Sequence, residues 1–225
     1  LARPGLLGLL LVFAGSNFLF GLIVPLYGPM ILDISNPQVF GLLSSILGLG
    51  MLLGTLVMSA WGGPKRRVDG VLLGMIVMGV FFIIFGLRPW IPLMAVSGFC
   101  ALFMNPIINA SSQALWQSNV AVDVQGRVFA VRRMIAWSVM PLAYLMAGPL
   151  ADRVFNPLMA EGGALAGSLG WLVGVGLGRG AGLMFVVIGI LSIIVPLFGY
   201  LNPHVRFVDS ELPDAVTENA EAPQG

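Results

Sequence analysis

Six stretches of this chain run for about twenty residues each without a single charged side chain, and that feature dominates everything else in the sequence. They are Gly5 to Leu32, Val39 to Trp61, Val71 to Leu87, Ile91 to Trp116, Met134 to Ala151 and Gly182 to Leu201. A hydrocarbon core about 30 Å thick is crossed by roughly 20 apolar residues in helical conformation, so each run is predicted to span a bilayer. The runs are continuous and do not alternate with period two, which argues against strands of a membrane barrel. With 58% hydrophobic and 9% charged residues, the chain is far from the roughly 25% charge of soluble domains. The expected fold is therefore an all-α membrane protein with six transmembrane helices over 1–203.

The loops set an orientation. Arg3, Lys65, Arg66, Arg67, Arg127, Arg132, Arg133 and Arg206 fall on one side, and Arg88, Arg153 and Arg179 on the other. Positive charge concentrates on the cytoplasmic side of membrane proteins, so both termini are expected inside. The segment 162–178 is uncharged but holds seven Gly in seventeen residues, which reads as an external loop or surface-lying segment, with a seventh span left open. The tail, 204–225, turns polar and acidic, with Asp209, Glu211, Asp214, Glu218 and Glu221, and is expected to be disordered and cytoplasmic. Residue 1 is Leu, without the pattern of a signal peptide, so the chain is expected to begin partway through a longer protein. Cys100 stands alone inside a span and offers neither a disulfide framework nor a thiolate metal site. No solvated basic cluster is interleaved with aromatics, which sets nucleic acid aside as a partner.

Two small-xxx-small patterns, Gly50 to Gly54 and Gly70 to Gly74, allow close backbone approach between helices of the same bundle. Pro25, Pro29, Pro106, Pro141, Pro149 and Pro196 fall inside spans and are expected to kink or locally open them.

The fourth span ends in a polar stripe. Asn105, Asn109, Ser112, Gln113 and Trp116 recur at three- and four-residue spacing and share one helix face. Lipid cannot satisfy amides, so the stripe faces a bundle interior or a water-filled cavity, and it serves as interhelical glue or as cavity lining. Asn17 is a further polar candidate in the first span. The middle of each predicted span lacks Asp, Glu, Lys, Arg and His, the groups an ion relay needs at depth.

The run Gly-Arg-Val-Phe-Ala-Val-Arg-Arg, Gly126 to Arg133, lies between Asn105–Gln117 (NPIINASSQALWQ) and Pro141–Met159 (PLAYLMAGPLADRVFNPLM). Together these segments resemble the carboxyl-terminal half of major facilitator superfamily transporters, helices seven to twelve, and among them bacterial exporters of macrolides and siderophores. Trp61 to Gly70 falls where the superfamily repeats its loop signature. Lys65, Arg66 and Arg67 are kept, but Asp69 follows the basic residues where the signature places it before them. The resemblance implies a multidrug-resistance type exporter or antiporter in a bacterial inner (plasma) membrane. It would use no cofactor and no metal, and would bind a small-molecule substrate between two six-helix halves. The partner half would be an amino-terminal one absent from this sequence, or a second copy. It also implies a cytoplasmic gate role for Lys65, Arg66, Arg67, Asp69, Asp123, Arg127, Arg132 and Arg133, with Asn17, Asn105, Asn109, Ser112, Gln113 and Trp116 toward the substrate cavity.

The competing reading is a structural or channel-like membrane module in which the stripe only holds helices together. An intramembrane serine protease needs a His base beside its Ser, and the single His, His204, sits at the end of the last span. An ATP-driven pump would need a phosphate-binding loop, which the chain lacks. No enzymatic activity is expected.

Overall fold

The computed structural model describes residues 4–120, 124–176 and 178–206. Asp123 and most of the expected tail lie outside them. The described residues are all helical or irregular, with no strand. The helices are α1 (Pro4–Ile34), α2 (Pro37–Trp61), α3 (Arg67–Leu87), α4 (Ile91–Asn119), α5 (Gln125–Leu150), α6 (Asn156–Met159), α7 (Ala166–Val173), α8 (Arg179–Leu201) and α9 (Pro203–Arg206). Six segments are long and apolar enough to cross a membrane: α1 to α4, α5 together with its continuation to Met159, and α8.

Local chemistry sets the ends of α2. The Asn36 side chain accepts from the Val39 N–H at 3.0 Å, Pro37 occupies the first turn, and Gly62 closes the helix at φ 77°, donating to the Met58 carbonyl. The fifth span runs further than the apolar pattern suggests, at both ends. The fifth starts at Gln125, so Arg127, Arg132 and Arg133 stand on the helix and not before it. Hydropathy breaks at a charge, whereas Arg is a good helix former and does not break the backbone ladder.

At its other end α5 passes into a π-helical turn, Ala151–Phe155, where the Asn156 N–H reaches the Ala151 carbonyl five residues back. Pro149 supplies no N–H to the ladder just upstream, a common origin of such a shift. Segment 162–178 contains the eight-residue α7 between turns, far too short to cross a bilayer. Beyond the last span, α9 folds back, and Val205 is buried against Gly8 and Gly199.

The packing follows a simple rule. Helix α1 lies chiefly against α5, α2 against α4, and α3 against α8, while α3 also packs on α4 and α8 on α1. Exchanging the triplet α1, α2, α3 for α4, α5, α8 reproduces the same set of main contacts. Small residues form the seams. A Cβ on Gly50 or Gly54 would fall onto the Phe99 or Phe103 carbonyl oxygen of α4, and one on Gly21 would lie 2.8 Å from Ala143 Cβ of α5. Between α3 and α8 the approach is reciprocal. A Cβ on Gly79 would stand 2.8 Å from the Gly189 carbonyl oxygen, and one on Gly189 2.7 Å from that of Gly79, while Gly86 and Gly182 meet in the same way. Backbones this close gain dispersion and Cα–H···O contacts, the main sources of helix association where lipid is as apolar as the side chains.

Gly70 and Gly74 also pack within the chain, against Ser111 and Ile108. The two flanks, α2 and α5, bury far less of their surface in the described chain than α3 and α8 do.

Candidate functional site

The basic end of the bundle carries Lys65, Arg66, Arg67, Arg127, Arg132 and Arg133, and its centre is Arg132. From the second turn of α5 its guanidinium reaches α4, where Nη2 donates to Ser112 Oγ at 2.7 Å and Nη1 to Gln113 Oε1 at 3.1 Å. It also lies over two rings, 5.1 Å from Trp116 and 5.8 Å from Phe13 of α1. Trp116 and Phe13 are buried and Arg132 half-buried. Charge-assisted hydrogen bonds and cation–π contact make this a strong anchor, joining three helices through one planar cation that Lys cannot replace geometrically. Among the described residues all of these partners are neutral.

The polar stripe therefore divides. Ser112, Gln113 and Trp116 form the Arg132 cradle. One turn earlier Asn109 is exposed, and its amide donates back to the Asn105 carbonyl at 2.9 Å and to Asn105 Oδ1 at 3.1 Å, within the same helix. Asn17 lies apart from both groups: its Nδ2 donates to the Ala136 carbonyl at 2.9 Å and ties α1 to α5. Next to the cradle, Ser111 is fully buried with its Oγ unpartnered among the described residues, pressed against Gly70.

In the turn between α2 and α3, Asp69 falls in the first turn of α3, where a helix N-terminus favours an acid, and pairs with Arg66 at 3.7 Å. Arg67 donates to the Gly62 carbonyl at 2.6 Å. Lys65, Arg127 and Arg133 are exposed. Among the described residues no group of His, Cys, Asp and Glu is gathered closely enough to hold a metal ion.

At the opposite end the structure builds a second arginine site that composition alone hides. Arg179, first residue of α8, is 3% exposed. Its Nε donates to the Val173 carbonyl at 2.6 Å, and its Nη2 to the carbonyls of Gly86 at 3.0 Å and Leu87 at 3.4 Å. One side chain thus satisfies carbonyls at the ends of α3 and α7. Nearby, Arg88 donates to the Trp171 carbonyl at 2.8 Å. Sequence reasoning places both in a solvated loop by charge count. The available signal was the glycine cluster around Arg179, which leaves room for backbone to close over a large side chain.

Comparison with known proteins adds distant relatives. Over 162 residues, 68% of this chain, it is 27% identical to Macrolide efflux protein A of Streptococcus pyogenes, and the match covers 38% of that protein. Over 124 residues, 53% of the chain, it is 30% identical to Multidrug efflux pump Tap of Mycolicibacterium fortuitum, covering 29% of it. The matched stretch thus covers well under half the length of either relative. No protein-family model matches it, and no solved structure matches it. What these matches establish is distant similarity to bacterial efflux proteins in a multi-pass, all-helical membrane chain with six candidate spans.

Proposed function

We infer that the chain is the carboxyl-terminal six-helix half of a major facilitator superfamily transporter, exporting drugs or secondary metabolites by alternating access across a bacterial inner membrane. The observation that carries this reading is the exchange symmetry of the packing. Two three-helix repeats, α1–α3 and α4, α5 and α8, interlock so that the first helix of each lies on the second helix of the other. An odd number of spans per repeat inverts the second relative to the first, which is the nested 3+3 arrangement of this transporter type. A module whose polar stripe only holds helices together has no need of it. Similarity to two efflux proteins supports the same reading. So do the thinly covered flanks α2 and α5, the helices positioned to meet an amino-terminal half.

In this arrangement the basic end is cytoplasmic. Lys65 to Arg67, Asp69, Asp123, Arg127, Arg132 and Arg133 belong to the gate, and the exposed Asn109 with its half-buried partner Asn105 faces the cavity that holds a small-molecule substrate. Segment 204–225 continues on the cytoplasmic side. The test is accumulation of a fluorescent amphiphile in cells lacking their own exporters. The chain alone, the chain joined to a restored amino-terminal half, and the joined protein with Asn109→Ala or Asn17→Leu are compared. Export is expected only from the joined protein, reduced by Asn109→Ala and retained by Asn17→Leu. Export by the chain alone, or by neither at normal membrane levels, overturns the reading.

A further inference from the structure

Helices α1 and α2 follow one another in the chain yet touch only sparingly, because each lies on a helix of the other repeat. Between them opens a recess of about 320 Å³ whose walls include Phe20, Tyr27, Ser44, Phe82, Phe85 and Phe185. Its rim carries Val24 and Gly48, both exposed, and a Cβ on Gly48 would meet nothing within 4 Å. Phe85 and Phe185 are each 2% exposed. We propose that this recess binds the ring portion of the exported compound, an uncharged apolar ring bearing a hydrogen-bond donor that Tyr27 Oη accepts. The proposal deepens the transport reading above and rests on it.

Three observations fix the ligand's chemistry. Among the described residues none lining the recess is charged, so a permanent charge entering it would lose its hydration without gaining a counter-ion. The aromatic side chains spend their faces on one another. Phe85 and Phe185 stack at 4.9 Å and Phe82 meets Phe185 edge-on at 6.5 Å, so they do not form an open cage around a cation. The direction of the polar contact follows from counting protons. Ser44 Oγ donates its single hydrogen to the Phe40 carbonyl at 2.8 Å, so in the 3.2 Å contact between the two hydroxyls Tyr27 is the donor. The Tyr27 oxygen then offers only lone pairs, and the ligand group it recognises is a hydroxyl or N–H. Size adds a fourth limit: the recess lies at the small end of the roughly 300–1,000 Å³ typical of ligand sites, which suits one ring system and leaves the rest of a drug-sized amphiphile outside.

Binding of three probes to the chain in lipid nanodiscs tests this by equilibrium dialysis. They are 2-naphthol, 2-methoxynaphthalene, which lacks the donor, and a trimethylammonium naphthalene. Expected is saturable binding of 2-naphthol, about tenfold weaker binding of the methoxy compound, and no saturable binding of the cation. Tyr27→Phe should erase the difference between the first two. Gly48→Leu, placed where there is open space, should abolish binding at an unchanged melting temperature. Equal binding of the cation, a preference that survives Tyr27→Phe, or binding unaffected by Gly48→Leu overturns the proposal. Export assays on the joined protein keep the two readings apart. Export of a naphthol-bearing amphiphile undiminished by Gly48→Leu removes the recess and leaves transport standing. Binding without any export removes transport and leaves the recess.

Discussion

Arg132 and Trp116, sixteen positions apart on two different helices, face each other at 5.1 Å, with the guanidinium over the indole and anchored to Ser112 at 2.7 Å. With Ser112 and Gln113, this pair makes the carboxyl-terminal part of the polar stripe a cradle for the Arg132 guanidinium.

Replacing Arg132 with Ala should destabilise the bundle by about 2–4 kcal/mol, since two charge-assisted hydrogen bonds and two ring contacts are lost and Ser112 is left buried. Arg132→Lys should recover less than half, because one ammonium cannot meet Ser112 and Gln113 while lying flat on both rings. Unfolding by SDS in mixed micelles measures both. Equal stability of all three proteins would show that the cradle contributes nothing.

Gly79→Ala and Gly189→Ala should each cost about 1–3 kcal/mol, as a methyl group on either helix meets the carbonyl of the other. The double substitution should cost clearly less than the sum, because both act at one crossing and the first already separates the helices. Gly41→Ala, where nothing lies within 4 Å, should be neutral or stabilising. The same unfolding assay reads all four, and strict additivity of the pair would count against the reciprocal contact.

Arg179→Met should cost about 1–3 kcal/mol and loosen the far end of the bundle, since the carbonyls of Val173, Gly86 and Leu87 lose their donor while a buried cation is removed. A cysteine placed at Val173, 1% exposed here, should become reactive to a membrane-impermeant maleimide only in the Arg179→Met background. Protection in both backgrounds would show that Arg179 does not hold the ends of α3 and α7 together.

Much of the architecture is legible in the sequence because bilayer thickness and the absence of charge dictate it. The six runs place the spans, and the short 162–178 segment has too little continuous apolar helix for a seventh. Helix ends are less legible: Arg132 marks the end of an apolar run but not of a helix, so a residue placed in a loop by hydropathy stands inside α5. The stripe is visible through its spacing, yet spacing does not say that Ser112 and Gln113 bind an arginine while Asn109 bonds within its own helix. For Arg179 only the glycine cluster around it gives a hint, since its burial depends on α3, α7 and α8 meeting. The aromatic recess escapes for a related reason: Phe20, Phe82 and Phe185 are ordinary apolar residues until three distant segments bring them together.

The seam between α3 and α8 also has a history within each synthesised chain. Helix α8 is the last of the six spans, so α3 enters the membrane with its glycine face unmatched while about a hundred further residues are still to be translated. Until then the groove at Gly79 and Gly86 is open to lipid or to the insertion machinery. The bundle closes along this seam only when α8 arrives, so the closest backbone contact of α3 is also among the last that the chain can form.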